Sequence, residues 1–227
     1  MFIGANRNVF EDALDFGDYS DHWINVFLAH RPLDRAPTVR AAMADDLRAT
    51  LDKHLTPLDA NARAWGWKEP RSIFLLPFFA GYFPGLRFLH VVRDGRDMAY
   101  SANQNQLRKH GDAFLDGVGA GASEPVRSIA LWNRLNTQTA EYGETFLRAR
   151  YLRIRFEDLC RAPAPTILRI FEFFDLRGDA AEIGRLEVTP PSSLGRWQAQ
   201  DPDTLRDVHQ VGRAALERFG YDAPPPA

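Results

Sequence analysis

The fold is decided by one stretch of the chain, Phe88-Leu89-His90-Val91-Val92-Arg93-Asp94-Gly95-Arg96-Asp97-Met98-Ala99-Tyr100-Ser101. Its apolar first part contains two β-branched residues and predicts a buried strand. Arg93 would then lie at the carboxyl end of that strand, where open α/β sheets bind their ligands. Asp94 or Asp97 can cap the helix that follows, and we expect Ser101 in the opening turns of that helix.

Arg93 and the N-terminus of this helix suit an anion. Free backbone N–H groups and the helix dipole attract negative charge at a helix N-terminus. An arginine adds a planar fork that matches phosphate oxygens. The alternative is a strand–helix turn with a surface cluster of Arg and Asp, and this stretch alone does not decide between the two.

The run from Arg93 to Ser101 resembles the segment that binds the 3′-phosphate in sulfotransferases that use 3′-phosphoadenosine 5′-phosphosulfate (PAPS). In that family an Arg closes a strand, and a Ser eight residues later joins it on the 3′-phosphate. Arg93 and Ser101 have this spacing. The resemblance implies that both residues bind the cosubstrate.

Length, composition and charge favour one ordinary globular domain. The 227 residues are 45% hydrophobic and carry a formal net charge of −2, so nothing indicates a nucleic-acid partner. We expect a single α/β domain over residues 1–222 and a disordered proline-rich tail over 223–227. Cys160 is the only cysteine, which excludes an internal disulfide and a four-cysteine metal site.

No stretch of the sequence predicts a membrane span or a secretion signal. The longest apolar stretch, Ile73 to Phe83, is interrupted by Pro77 and Gly81 and is too short to cross a bilayer. No charged-then-apolar leader precedes residue 10, so the expected compartment is the cytoplasm. The oligomeric state stays open.

The first third of the chain predicts helices around one strand. Apolar spacing predicts helix from Val9 to His30 with a break near Gly17, and a second helix from Thr38 to Leu55. A short strand is expected in the segment from Ala64 to Ser72, followed by a helix from Ser72 to Tyr82. With the strand at Phe88, this order predicts a βαβ unit and a parallel sheet.

Lys68 follows the first of these predicted strands. The run Lys68-Glu69-Pro70 resembles a Lys-x-Pro landmark of bacterial and tyrosylprotein-type sulfotransferases, in which the lysine contacts the oxygen between the sulfonyl group and the departing phosphate. That resemblance implies a catalytic role for Lys68. Cytosolic small-molecule members have a catalytic His where this chain has Pro70. A lysine that extends from a strand end into solvent is the alternative.

The rest of the chain alternates loops, helices and one strand. We expect a helix from the Arg93 turn to about Leu107, and a mobile loop over 108–125 because Gly, Asp and Ala are frequent there. The remaining predicted elements are a helix from Ser128 to Leu147, a strand over Tyr151–Phe156, and helices over Pro163–Phe174 and Pro202–Arg218.

Two further positions match landmarks of the family. Phe156, ahead of Glu157-Asp158-Leu159, takes the place of a tyrosine that lines the adenine pocket, which implies nucleotide binding, although a buried core Phe fits equally well. Leu194-Gly195-Arg196-Trp197 is similar to a carboxyl-terminal segment whose basic residue approaches the 3′-phosphate, which assigns that role to Arg196. Gly195 replaces a serine that is frequent in the family.

One family motif does not occur in the sequence. A Gly-rich loop with Arg/Lys-Ser-Gly-Thr-Thr normally wraps the 5′-phosphosulfate, and neither that pattern nor Gly-x-x-x-x-Gly-Lys-(Ser/Thr) is found. The resemblance therefore implies a three-layer α/β/α fold with a central parallel sheet, of the P-loop NTPase-like type, that lacks its first βα unit. We expect that residues upstream of Met1 belong to the natural protein.

The resemblance implies transfer of a sulfonyl group from PAPS to a hydroxyl or amine acceptor, without a metal. Asp12 is the catalytic-base candidate together with Asp15, and both could equally be solvated helix charges. The acceptor could be a glycan, peptide, lipid or small metabolite. A P-loop kinase relative is one alternative and a non-catalytic nucleotide-binding module is another; the kinase reading needs a Walker lysine and Mg²⁺ ligands that the sequence does not show.

Overall fold

The computed structural model describes residues 14–56, 64–117, 119 and 121–221. The chain divides into two compact units, 1–84 and 85–227. The single domain over 1–222 stays a prediction, and the tail 223–227 and Asp12 lie outside the described residues.

The first unit consists of three helices in its described part: α1 (Leu14–Ala29), α2 (Pro37–Leu55) and α3 (Ser72–Tyr82), with a 3₁₀ turn at Leu33–Arg35. Each helix buries large apolar side chains, which makes packing of their shared faces the main stabilising term. The fully buried ones are Phe16, Ile24, Met43, Leu47, Leu75, Leu76 and Phe79.

Helix α1 continues through Gly17, so the predicted break there is wrong. Gly17 has a packing role instead. A Cβ at this position would lie 2.6 Å from Nη2 of Arg71, so a larger residue would push that guanidinium away from the helix.

The segment over residues 64–69 is irregular, so the strand predicted there is wrong. A strand needs a neighbouring strand as the partner for its backbone hydrogen bonds, and here side chains of the same unit contact the segment instead. The Gly66 carbonyl oxygen lies 2.9 Å from Nε2 of His54, and the Trp67 ring stacks on Phe16 with centroids 4.3 Å apart.

The second unit contains strands β1 (Phe88–Val92) and β2 (Tyr151–Arg155), which pair in parallel with Phe88 opposite Tyr151 and Val92 opposite Arg155. Parallel neighbours require a crossover connection. Helices supply it here: α4 (Gly95–Ala99), α5 (Asn105–Leu115), α6 (Glu124–Tyr142) and a π-helical turn at Gly143–Leu147.

Four more helices follow β2: α7 (Phe156–Arg161), α8 (Pro163–Phe174), α9 (Ala180–Glu187) and α10 (Pro202–Arg218). Helix α10 packs on α6 and α4, and α8 packs on α9. The resulting core contains Val92, Ala99, Ile129, Trp132, Ala140, Val208, Ala215, Leu216, Phe219 and Tyr221.

A buried histidine links β1 to its surroundings. His90 lies with Nδ1 2.7 Å from the Tyr151 hydroxyl and Nε2 2.9 Å from the Asn136 amide oxygen. Because an amide oxygen only accepts, Nε2 carries the proton and Nδ1 accepts from the tyrosine. Burial lowers the pKa of His90 to about 4, so the ring is neutral at pH 7.

Two predictions about the crossover are wrong. The helix after Arg93 ends at Ala99, because the Gln104 amide takes over the carbonyl oxygens of Met98, Ala99 and Ser101. Residues 108–115, predicted as part of a mobile loop, belong to α5.

The spacing of buried side chains accounts for α5. Leu107, His110 and Phe114 are buried at intervals of three and four residues, which gives the segment one inward-facing side.

The described residues therefore form a largely helical structure with a small parallel two-stranded sheet. The parallel pairing agrees with an α/β class, whereas a three-layer arrangement around a central sheet stays a prediction. Within the described ranges, no helix combines the length and apolar character needed to cross a membrane.

Candidate functional site

Arg93 contacts residues from several parts of the second unit. It follows β1, and its carbonyl oxygen accepts a hydrogen bond of 3.1 Å from the Trp132 indole. Its Nη2 lies 2.6 Å from the Ser193 carbonyl oxygen and 3.1 Å from each of Ser193 Oγ and Asp97 Oδ2. The guanidinium lies 5.3 Å from the centroid of the Phe156 ring.

Arg93 has donor capacity beyond these contacts. Its Nε is buried and has no hydrogen-bond partner within the described residues. The side chain is 20% exposed, so it is partly accessible to a ligand. A buried donor without an acceptor is costly, and an incoming anion would satisfy it.

Arg196 approaches the same point from a different part of the chain. Its Nε donates to the Ser193 carbonyl oxygen at 3.2 Å, and its Nη1 donates to the Tyr100 carbonyl oxygen at 3.3 Å. Arg93 and Arg196 therefore share one acceptor atom. We call Arg93, Asp97, Ser193 and Arg196 the arginine cluster.

Phe156 lies beside the arginine cluster, where it begins α7 and is half-buried. The next residue, Glu157, is buried and accepts a hydrogen bond of 2.9 Å from the backbone N–H of Asp94. It also accepts from the Tyr221 hydroxyl, which lies 3.0 Å from the Val92 carbonyl oxygen. Burial and Glu157 both raise the pKa of Tyr221, so this phenol keeps its proton.

Ser101 lies in the loop between α4 and α5, not in the opening turns of a helix as predicted. Its hydroxyl accepts from the Asn103 backbone N–H at 3.2 Å, and its carbonyl oxygen accepts from the Gln104 amide at 2.8 Å. The described hydrogen bonds of Ser101 thus involve its own loop, whereas those of Arg93 and Arg196 meet at Ser193.

Arg96 has a structural role at the N-terminus of α4. Asp94 caps this helix by accepting from the Arg96 backbone N–H at 2.9 Å. The Arg96 guanidinium folds back onto the Asp94 carboxylate at 3.0 and 2.8 Å and stacks 3.9 Å from the Trp197 ring centroid. Because both charges are almost fully buried, they hold the turn after β1 in place.

Lys68 belongs to the first unit and is exposed on the segment before α3. Its neighbour Glu69 is buried and accepts from the backbone N–H and Nε of Arg71 at 2.9 and 2.7 Å. Arg71 also pairs with Asp21, and these carboxylates raise the pKa of Arg71 despite its partial burial. The segment that carries Lys68 is therefore anchored at its end.

Asp15, the second base candidate, is committed to a structural contact. Its Oδ2 lies 3.0 Å from Nδ1 of His54, whose Nε2 faces the Gly66 carbonyl oxygen. His54 is fully buried. Through the Gly66 carbonyl oxygen, this pair fixes the chain two residues before Lys68.

A cavity of about 710 Å³ lies at the other end of α3 from Lys68. Its wall combines aromatic rings with arginines and one carboxylate: Phe27, Phe78, Tyr82, Arg31, Arg40 and Asp34. Among the residues that the structure describes, no group of three or more His, Cys, Asp or Glu side chains could hold a metal ion.

The contacts missed by sequence reasoning are those made across long stretches of chain. The sequence indicates Asp97 only as a helix cap and indicates no site role for Ser193, Glu157 or Tyr221. No spacing in the sequence links Asp97 to residues about 100 positions away. Glu157 stands directly after the Phe156 landmark, and that position is the one signal in the sequence that could have pointed to its contact with Tyr221.

Comparison with known proteins identifies the family of the chain. A model described as the sulfotransferase family matches residues 11–180, well over half of the chain. The chain therefore belongs to the sulfotransferase family. The match spans the Lys68 segment, the Arg93 turn and Phe156.

A relative from Caenorhabditis elegans supports the same assignment. It is named "Putative protein-tyrosine sulfotransferase" and is 24% identical over 110 residues, which cover 48% of this chain and 39% of the relative. The chain thus matches about two fifths of the length of that protein.

Proposed function

We propose that this chain transfers a sulfonyl group from PAPS to a hydroxyl or amine acceptor. Membership of the sulfotransferase family supports sulfonyl transfer. The observation that carries the choice of donor is the convergence of Arg93 and Arg196 on one oxygen atom, the Ser193 carbonyl. Two guanidiniums that share an acceptor form a site suited to a phosphate.

The arginine cluster would bind the 3′-phosphate, the group that distinguishes PAPS from ATP. Arg93 and Arg196 would donate to its oxygens. Ser101 is included on the family's spacing alone, and its hydroxyl would have to leave its contact with Asn103 to take part. Phe156, beside Arg93, would offer a ring face to the adenine.

Lys68 would act on the leaving group. In the transfer, the bond between sulfur and the bridging oxygen breaks, its electron pair stays on the nucleotide phosphate, and a new S–O or S–N bond forms to the acceptor. A positioned cation lowers this barrier because negative charge develops on the departing phosphate. The exposed Lys68 ammonium supplies such a charge.

The acceptor must lose its proton to a base during the transfer. Asp12 is the residue proposed from the sequence, and it lies outside the described residues. Asp15 is the weaker choice because its carboxylate holds His54. No step proposed here requires a metal.

The acceptor class is proposed from the relative. The name of that relative indicates the tyrosine side chains of proteins as its acceptor, so a peptide tyrosine hydroxyl is the first acceptor to test. A glycan, lipid or small metabolite follows in the same assay, and the cytoplasm is the proposed compartment.

The test is calorimetric titration with adenosine 3′,5′-bisphosphate, with adenosine 5′-monophosphate as the comparison ligand. We expect tighter binding of the bisphosphate, and we expect Arg93→Ala to weaken that binding about 10- to 100-fold, because one charged hydrogen-bonding group is worth roughly 1.5–3 kcal/mol. Arg206→Ala is the matched control, since this arginine is 70% exposed and pairs only with Asp203 among the described ion pairs.

Equal affinity for the two nucleotides would contradict PAPS as the donor and favour a kinase-like nucleotide site. Binding of neither nucleotide by the folded chain would favour the non-catalytic alternative.

A further inference from the structure

Asp97 is the carboxylate of the arginine cluster, and it accepts three hydrogen bonds. It lies on α4 and is 1% exposed. Its Oδ2 accepts from Arg93 Nη2 at 3.1 Å and from the Gly195 backbone N–H at 2.8 Å, and its Oδ1 accepts from the Trp197 backbone N–H at 3.3 Å. These three donors satisfy the hydrogen-bonding capacity of the buried carboxylate on both of its oxygens.

These bonds fix the backbone on both sides of Arg196. Gly195 and Trp197 are its two chain neighbours, and Asp97 binds the N–H group of each. The left-handed conformation of Gly195, with φ of 75°, turns the chain so that both N–H groups face the same carboxylate. Asp97 therefore binds the guanidinium of Arg93 directly, and it holds Arg196 through the backbone N–H groups of the residues on either side of Arg196.

We propose that Asp97 is the positioning residue that sets the distance between the guanidiniums of Arg93 and Arg196 to match one phosphate group. The inference rests on the proposed function. Asp97 does not touch the phosphate in this account. It acts through the two arginines. Their shared acceptor, the Ser193 carbonyl oxygen, keeps the two guanidiniums side by side, and Arg93 Nε, which has no partner among the described residues, is a donor left for the phosphate.

A purely structural role makes a different prediction. If Asp97 only stabilised the fold, its substitution would lower the affinity for every nucleotide and the melting temperature together. A positioning role affects the 3′-phosphate alone. The informative quantity is the discrimination ratio, defined as the Kd for adenosine 5′-monophosphate divided by the Kd for adenosine 3′,5′-bisphosphate.

The first variant is Asp97→Asn, which keeps the shape but loses the charge and places an amide N–H₂ against the donors of Arg93 or Gly195. We expect the discrimination ratio to fall about tenfold or more, with the Kd for the monophosphate within about twofold of wild type. Asp97→Glu keeps both acceptors and the charge, so we expect partial rescue of the ratio.

The double variant Arg93→Ala with Asp97→Asn tests whether the two residues act as one unit. Because the spacing between the two guanidiniums no longer matters once Arg93 is removed, we expect the loss of discrimination in the double variant to be clearly smaller than the sum of the two single losses. Asp203→Asn, at an exposed carboxylate in the same unit, is the control and should leave the ratio unchanged.

Three outcomes would overturn the inference: an unchanged ratio in Asp97→Asn, an equal loss of affinity for both nucleotides, or fully additive losses in the double variant. Failure of both Asp97→Asn and Asp97→Glu to fold, followed by circular dichroism, would assign Asp97 to folding and also overturn it.

If wild type prefers the bisphosphate and Arg93→Ala loses that preference, the proposed function stands even when the Asp97 inference fails. No preference in wild type would sink the proposed function itself.

Discussion

The two units use the same local device to hold an arginine and differ in what surrounds it. In the first unit Glu69 accepts from both the backbone N–H and the guanidinium of Arg71, two residues later, at the start of α3. In the second unit Asp94 does the same for Arg96 at the start of α4. Each pair is local in sequence and fixes the entry to a helix.

The difference lies in the balance of charge around these pairs. Arg71 is held by two carboxylates, Glu69 and Asp21, so its positive charge is more than compensated. The arginine cluster has two arginines for the single carboxylate of Asp97. Excess positive charge favours an anion, so the proposed phosphate site fits the arginine cluster and does not fit Arg71.

The largest expected effect comes from breaking the local pair of the second unit. Asp94→Ala removes the helix cap and the carboxylate that holds the buried guanidinium of Arg96. We expect the free energy of unfolding to fall by about 3–5 kcal/mol, measured by urea denaturation. Glu69→Ala should cost less because Asp21 still pairs with Arg71. Equal losses in the two variants would contradict the comparison, and Asp203→Ala, at an exposed carboxylate, is the control.

The second effect is a dependence of stability on pH that belongs to His90. Its pKa is about 4 in the folded chain, below the ordinary value of 6.5. Below pH 6.5 the unfolded chain takes up a proton that the folded chain does not, so stability is complete above pH 6.5 and declines as the pH falls toward 4. The loss approaches about 3 kcal/mol.

His90→Gln should flatten this part of the pH profile in urea denaturation, because the variant has no imidazole to protonate. His22→Gln, at an exposed position in the first unit, should keep the full slope. A His90→Gln profile as steep as wild type between pH 6.5 and 4 would show that another group carries the dependence.

The smallest effects come from two helical glycines, one in each unit. A Cβ on Gly95 would lie 2.4 Å from the Trp132 ring, whereas a Cβ on Gly81 meets nothing within 4 Å. We expect Gly95→Ala to lower the free energy of unfolding by about 1–3 kcal/mol. Gly81→Ala should raise it by about 0.5–1 kcal/mol because alanine favours helix. Thermal melts check both signs, and equal shifts would contradict the packing difference.

Local patterns predicted the elements that local interactions determine. The predicted bounds of α3, α8 and α10 match the structure: α8 and α10 have clear apolar spacing and begin at a proline, and α3 is an apolar run that the Pro84-Gly85 turn follows. Strand β1 was predicted from a short apolar run with two β-branched residues. The family resemblance identified Arg93, Phe156 and Arg196, which the structure brings together in one unit.

Side-chain contacts that helical or strand spacing does not encode account for the failures. The helix after Arg93 stops early because the Gln104 side chain captures backbone carbonyl oxygens, and nothing in the helical spacing predicts that. The segment over 64–69 has the aromatic residues of a strand, but His54 binds the Gly66 carbonyl oxygen. The three bonds of Asp97 depend on a loop about 100 residues later.

The most direct test of the central claim, that the second unit recognises the 3′-phosphate, is an NMR titration of the tryptophan indole N–H signals. Trp132 and Trp197 lie in the second unit, at Arg93 and Asp97 respectively, and Trp23, Trp65 and Trp67 lie in the first. Titration with adenosine 3′,5′-bisphosphate should shift the Trp132 and Trp197 signals more than adenosine 5′-monophosphate does, with no such difference for the other three. Identical shifts with the two nucleotides, or a difference confined to the first unit, would contradict the account.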